Sequence, residues 1–211
     1  MSTEIEIKVK IPDEDVIGRI MTDENVTRFI REDFSVGHMH TIYYDTPEWD
    51  LYKNGFMLRI RSDGMHIVAS LKHGSVDKSE HPGRCIRSKW ICTATEIDNA
   101  VESLMNAGAP EQFYEITKGK PIVESCRADF TRTSNILYLP EGLRVELAMD
   151  LGTMYSGENS RSILEMELEI LFGNVGSLLP FVDTLSDAYG LEPETYTKYE
   201  KAFALSKGEI I

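Results

Sequence analysis

The sequence predicts an α+β fold: a closed antiparallel β-barrel with a charged interior, and helices packed outside it. Charged and apolar residues alternate at the two-residue period of a strand in segments spread along the chain. Glu4, Glu6 and Lys8 alternate with Ile5, Ile7 and Val9, and Arg59 and Arg61 with Leu58 and Ile60. Arg144, Glu146 and Asp150 alternate with Val145, Leu147 and Met149, and Glu165, Glu167 and Glu169 with Met166, Leu168 and Ile170. An open sheet with one wet face would alternate in the same way. The three glutamates decide against it, because like charges on one strand face repel unless positive groups sit beside them. A closed barrel places Arg and Lys there, with carboxylates suited to a metal, basic groups suited to a polyanion, and the apolar face outward under helices.

Residues 4–8 open the first strand, which Pro12 ends. Asp13, Glu14 and Asp15 suit a helix N-terminus, and Val16, Ile17, Ile20 and Met21 follow at helical spacing, with a second turn at Val26, Phe29 and Ile30. A strand over 40–45 ends at Thr46-Pro47, and 50–54 form a short helix or turn stopped by Gly55. Strands over 56–62 and 65–72 meet at an Asp63-Gly64 turn, with Val68, Ser70 and Lys72 on one face. Residues 74–83 are polar and predicted to be a loop. In 85–92, Arg87 and Lys89 oppose Ile86, Ser88 and Trp90. A helix over 95–108, capped by Thr93 or Thr95 and ended by Gly108, buries Ile97, Val101, Leu104 and Met105. A strand over 121–133 carries Arg127 and Arg132; 135–142 turn the chain into a strand over 143–151, and 152–161 loop to the three-glutamate strand. A helix over 174–189 has Leu178, Leu179, Val182 and Leu185 as its buried stripe, and after Gly190 a last helix covers 192–205.

Glu4-x-Glu6-x-Lys8, Tyr43-Tyr44-Asp45-Thr46, Leu58-Arg59-Ile60-Arg61 and Glu165-x-Glu167-x-Glu169, in that order and spacing, resemble the CYTH, or triphosphate tunnel metalloenzyme, family. The resemblance is nearest to its bacterial inorganic triphosphatase branch. It implies one domain over 1–205 with a tail over 206–211, an eight-stranded tunnel, and metal-dependent hydrolysis of inorganic triphosphate to diphosphate and phosphate. It implies substrate-binding Lys8, Arg59, Arg61, Lys72, Arg87, Arg127, Arg132 and Lys198, of which Lys8, Arg59, Arg61, Lys72 and Lys198 serve catalysis; Arg144 joins the tunnel set. Mg²⁺ or Mn²⁺ would be held among Glu4, Glu6, Asp150, Glu165, Glu167 and Glu169, while Glu146 and Asp150 either bind metal or orient basic neighbours. Tyr44 and Asp45 are expected to be structural. Lys198, in Tyr196-Thr197-Lys198-Tyr199, matches a C-terminal lysine directed into the tunnel, and Lys201 is expected in solvent. Two departures stand out: Lys89 where the triphosphatase branch usually has an acid, and Ser125 where class IV adenylyl cyclases have Lys. Relatives on this fold include adenylyl cyclases and thiamine and RNA triphosphatases; a non-catalytic triphosphate or nucleotide sensor is a further alternative.

The chain has 211 residues, 42% hydrophobic and 27% charged, enough for one domain with a sizeable core. Its net charge of −13 argues against a general nucleic-acid surface, and the tunnel assignment leaves the exterior more acidic still. A small anionic substrate is therefore expected as partner, with no nucleic acid and no membrane. No apolar run approaches the roughly 20 residues of a membrane helix, and Glu4 and Glu6 are unlike a signal peptide, so a cytoplasmic location is expected. Cys85, Cys92 and Cys126 lack metal-ligand spacing and are expected to be reduced thiols. His38 and His40, two apart, have no matching third ligand nearby.

Overall fold

The computed structural model describes residues 1–94, 96–209 and 211. Eight long strands form the barrel: β1 (Ser2–Lys10), β2 (Ser35–Asp45), β3 (Phe56–Ser62), β4 (Ile67–Val76), β5 (Arg84–Cys92), β6 (Val123–Tyr138), β7 (Arg144–Ser156) and β8 (Asn159–Phe172). Their order is β5-β4-β3-β2-β6-β7-β8-β1, and β1 pairs with β5 to close the ring. The barrel pairings are antiparallel, and a short β9 (Glu192–Pro193) lies along the end of β1. Outside lie α1 (Asp15–Thr22), α2 (Glu24–Thr27), α3 (Asp50–Lys53), α4 (Ile97–Asn106), α5 (Glu111–Thr117) and α6 (Val175–Tyr189), while α7 (Lys198–Ser206) packs on β6, β7 and β8. No described helix is long and apolar enough to cross a membrane.

Among the described residues the apolar positions form four clusters, three of which frame the site. Ile7, Val9, Val145, Leu147, Met149, Met166 and Leu168 point outward and pack with Val16 and Ile20 of α1 and Leu178, Val182 and Leu185 of α6. Leu58, Leu71 and Trp90 pack under Leu104 of α4 and Phe113 of α5. The third cluster lies inside the barrel, where Tyr43, Met57, Ala128, Phe130, Met154 and Ile163 meet Tyr199 and Ala202 of α7. The interior is thus divided along its axis into an apolar part sealed by α7 and a charged part.

Several sequence expectations change in extent. The predicted loop over 152–161 is the tip of a long β7–β8 hairpin: Ser156 pairs with Asn159 around a turn in which Gly157 has φ 59°. The inward alternation continues through Gly152 and Met154, and a Cβ at Gly152 would run into the backbone of Asp129 and Phe130 on β6. Likewise β6 runs on to Tyr138, because Leu137 reaches the outer core, and β4 continues through residues placed in the loop over 74–83. Leu179 is 39% exposed, one residue round the helix from the 178, 182, 185 stripe. The last helix begins only at Lys198, where Thr197 and Glu200 form a capping box, and residues 192–193 are strand instead. Helix α4 starts at Ile97 with Glu96 at its cap; of the two threonines expected there, Thr95 lies outside the described residues. Helix α5 was not foreseen.

Asp45 ties the barrel to α3 and α7. Its carboxylate is fully buried and accepts from the backbone N–H of Thr46 (2.7 Å), Leu51 (2.8 Å) and Tyr52 (2.9 Å) and from the Tyr199 hydroxyl (2.6 Å). Asp45→Ala would strand four donors, three of them on buried residues. The expected loss, read by urea unfolding, is about 3 kcal/mol or more.

Candidate active site

The charged part of the barrel is a chamber of about 130 Å³. Strand β1 contributes Glu4, Glu6 and Lys8, all at most 3% exposed. Around it stand Arg59 and Arg61 of β3, Lys72 of β4, Arg87 and Lys89 of β5, Arg132 of β6, Glu146 of β7, Glu167 and Glu169 of β8, and Lys198 of α7. Each strand places these groups inward because it faces its apolar partners outward. Apart from Glu146, which forms no ion pair among the described residues, the charges sort into three sets.

Asp150, Glu165, Glu167 and Glu194 meet Lys8, Arg132, Lys198 and Lys201, four anions to four cations. Arg132 donates to both Asp150 oxygens at 2.7 Å and to Glu167 Oε2 at 2.6 Å. Lys8 donates to Glu165 at 3.0 Å and also to Glu167. Lys198 contacts Asp150 at 2.7 Å, Glu167 at 3.0 Å and Glu165. Lys201 bridges Glu165 and Glu194, the latter at 2.9 Å. Burial disfavours ionised Glu165 and Glu167, but Lys198 and Lys8 outweigh it and hold both carboxylates below their usual range.

Glu4, Glu6 and Glu169 form the second set with Lys72, Arg87 and Lys89. Glu4 Oε1 accepts from Lys72 at 2.7 Å and from Lys89 at 3.2 Å, and Glu6 accepts from Arg87 at 2.5 Å. Glu4 Oε2 is buried without a hydrogen bond, with Arg87 Nη2 3.2 Å away as an ion-pair contact. Among the described residues Glu169 pairs with Lys89 alone, at 3.8 Å. Burial pushes its carboxyl up to about 7 against the pull of Lys89, and Glu4 adds to the rise.

The third set is a pair of cations. Arg59 and Arg61 bond only to neutral hydroxyls, Arg59 Nε to Ser70 at 3.1 Å and Arg61 Nε to Thr41 at 2.9 Å. Neither forms an ion pair among the described residues. Burial, with Arg59 and Arg132 close by, pulls the Arg61 guanidinium down to about 9. Two inward guanidinium groups without carboxylate partners can seat an anion.

Both carboxylate triplets, Glu4-Glu6-Glu169 and Asp150-Glu165-Glu167, bring one oxygen per residue within 4.8 Å of the others. In the second triplet every oxygen already accepts from Lys or Arg. The first has an oxygen without a hydrogen bond and a weakly held Glu169, so it is the set whose donors fit a hard divalent cation.

The structure brings together most of the residues singled out in the sequence, but not Arg127 or Arg144. Arg127 faces out, 49% exposed, and pairs with Glu124. It stands an odd number of residues from Arg132, so on one strand the two take opposite faces. Arg144 is exposed over the Phe172 ring at the very end of β7, where a register shift puts the extra residue, Leu171, on β8. Lys201 is buried rather than solvated. Three residues after Lys198, it shares that lysine's helix face, a signal the sequence did contain. Glu194 carried no such signal. His40 pairs with Asp129 and His38 with Thr131 on the outer face of the barrel. The cysteines are free, with Cys85 and Cys126 buried.

A closed antiparallel barrel enclosing arginines, lysines and clustered carboxylates defines a tunnel-type barrel protein. The chain belongs to the CYTH family, whose domain matches residues 2–203. It is similar to an inorganic triphosphatase from Haemophilus influenzae, 26% identical over 212 aligned residues that take in all of this chain. The chain spans only 57% of that relative's length. Among solved structures it resembles a candidate adenylyl cyclase from Hippeastrum, reported to have dominant triphosphatase activity, with TM-score 0.63 and 17% identity over 99% of this chain and 97% of that one. It also resembles a candidate adenylate cyclase from Bacillus halodurans, with TM-score 0.54 and 16% identity over 94% and 97% of the two chains. These two likenesses establish the fold.

Glu169 gives metal-free stability a definite pH dependence. Between its ordinary 4.5 and about 7 the unfolded chain has lost this proton and the native chain keeps it. The contribution to stability therefore falls as pH rises through that window. Thermal denaturation in EDTA is expected to show this decline in the wild type and a flatter profile in Glu169→Gln.

Proposed function

We propose that the protein hydrolyses inorganic triphosphate to diphosphate and phosphate with a divalent metal, Mg²⁺ or Mn²⁺. The observation that carries this reading is the Arg59–Arg61 pair, half-buried and without carboxylate partners among the described residues, lining the same chamber as the incompletely satisfied Glu4-Glu6-Glu169 triplet. A chamber of about 130 Å³ suits a chain of phosphates better than a nucleotide. Similarity to an inorganic triphosphatase supports the same substrate.

Arg59 and Arg61 each present a planar fork to phosphate oxygens, and Lys8, Lys72, Arg87, Arg132 and Lys198 surround them with further positive charge. These groups orient the substrate and stabilise charge moving onto the departing diphosphate. Water adds to the terminal phosphorus, the bridging P–O bond breaks, diphosphate leaves, and the proton of the attacking water passes to solvent. A metal held by Glu4, Glu6 and Glu169 would neutralise phosphate charge and make that water more acidic. Burial raises the Cys85 and Cys126 thiols to about 12, so neither supplies a thiolate nucleophile, in keeping with direct attack by water. Ser125 donates to the Tyr43 carbonyl and brings no charge where the cyclase resemblance places a lysine.

Phosphate release from inorganic triphosphate, diphosphate, ATP and thiamine triphosphate, each with Mg²⁺, Mn²⁺ or EDTA, tests the proposal. Metal-dependent turnover of inorganic triphosphate is expected to dominate. Preferred turnover of an organic triphosphate, or cyclic AMP formed from ATP, would replace the substrate; binding without turnover would point to a sensor. In calorimetry, Arg59→Ala or Arg61→Ala is expected to weaken triphosphate binding about 10- to 100-fold, the worth of one charge-assisted contact. Melting temperature should hardly move, because neither change breaks an ion pair.

A further inference from the structure

Lys89 is the cation in the chamber whose position the proposed reaction does not explain. It stands on β5, opposite Ser2 of β1 on one side and Lys72 of β4 on the other. From there its ammonium spans carboxylates of two different strands, Glu4 Oε1 at 3.2 Å on β1 and Glu169 Oε1 at 3.8 Å on β8. Both belong to the triplet whose donors fit a divalent cation. Lys72 and Arg87 also serve this triplet, but they are 6% and 7% exposed and hold it at 2.7 and 2.5 Å. Lys89 is 20% exposed and makes the longest contacts of the three. It is the cation that can leave most easily.

Resting on the metal-dependent reading above, we infer that Lys89 is a built-in monovalent occupant of the Glu4-Glu6-Glu169 triplet, which a divalent metal must displace, so that this side chain sets the affinity for the metal. A hard cation needs carboxylate oxygens close around it, and an ammonium beside the same oxygens both occupies their lone pairs and repels the incoming charge. The displaced ammonium has the chamber to move into, where phosphate oxygens can receive it. Lys89 thereby exchanges one anionic partner for another when metal and substrate enter together, and metal binding to the empty protein is weakened relative to binding with phosphate present.

The test is Mn²⁺ binding without substrate, by isothermal titration calorimetry and by loss of the free Mn²⁺ electron-paramagnetic-resonance signal. The proteins are wild type, Lys89→Met, Lys89→Arg and, as a control for net charge, Lys118→Met on the exposed surface, where Lys118 is 59% exposed. Lys89→Met keeps most of the stem and removes the charge; it is expected to bind Mn²⁺ about tenfold more tightly or better, a change of one competing charge. Lys89→Arg and Lys118→Met should stay near wild type, and circular dichroism checks that each variant is folded. Should Lys89→Met misfold, Lys89→Gln carries the same expectation. Equal or weaker Mn²⁺ binding by the neutral variants, while the wild type still hydrolyses triphosphate, overturns the assignment of Lys89 alone. Absence of both Mn²⁺ binding and turnover in wild type and neutral variant overturns it together with the functional reading.

Discussion

Charge compensation inside the barrel is the constraint on which the rest depends. Removing a carboxylate or an ammonium from water costs several kcal/mol even after relaxation, so buried charges persist only when opposite partners are held close and hydrogen bonded. The Asp150, Glu165, Glu167 and Glu194 network meets that condition with Lys8, Arg132, Lys198 and Lys201, drawn from β1, β6 and α7. Five elements, β1, β6, β7, β8 and α7, are fixed to one another by this network. Its completeness throws the incompleteness elsewhere into relief: among the described residues Arg59 and Arg61 pair with no carboxylate, Glu4 keeps one oxygen without a hydrogen bond, and Glu169 has a single ion pair at 3.8 Å. A fully neutral half anchors the chamber; the unbalanced half is where a charged ligand gains most.

Along the barrel axis, apolar filling and charge serve different purposes. Tyr43 stacks on Tyr199 with ring centroids 5.3 Å apart, and Phe130, Met154 and Ile163 fill the space behind them. This packing holds α7 in place, and with it Lys198 and Lys201. The same helix therefore closes one end of the interior with its apolar side and supplies two of the network's cations with its basic residues.

Much of this was legible in the sequence because a strand's period of two is rigid. Once Glu4, Glu6 and Lys8 face inward, the residues between them must face out, and β3, β7 and β8 obey the same rule. Legibility failed where the rule is interrupted or where another element intervenes. Arg127 and Arg132 differ in parity, and Arg144 stands exposed at the very end of β7, over Phe172. The hairpin beyond Gly152 was hidden because small and polar residues dominate it, with Met154 the single inward apolar side chain between Gly152 and the turn. Lys201 and Glu194 neutralise each other across the start of α7, a pairing that depends on where the chain folds back, which local pattern does not record. Which of the two triplets has a free oxygen likewise depends on the third dimension.

The place of β1 in the ring bears on how the molecule assembles. The strand lies between β5 and β8 and also carries β9, and the bond from Lys8 to Glu167 joins residues 159 apart in sequence. Closing a loop that long costs entropy before any of its contacts can repay it. The earliest strand thus has to wait for nearly the latest, while the successive hairpins from β2 to β5 and from β6 to β8 can form on their own. During that wait its alternating charges keep one face of β1 compatible with water, and the seam between β1 and β8 is the natural last step of folding.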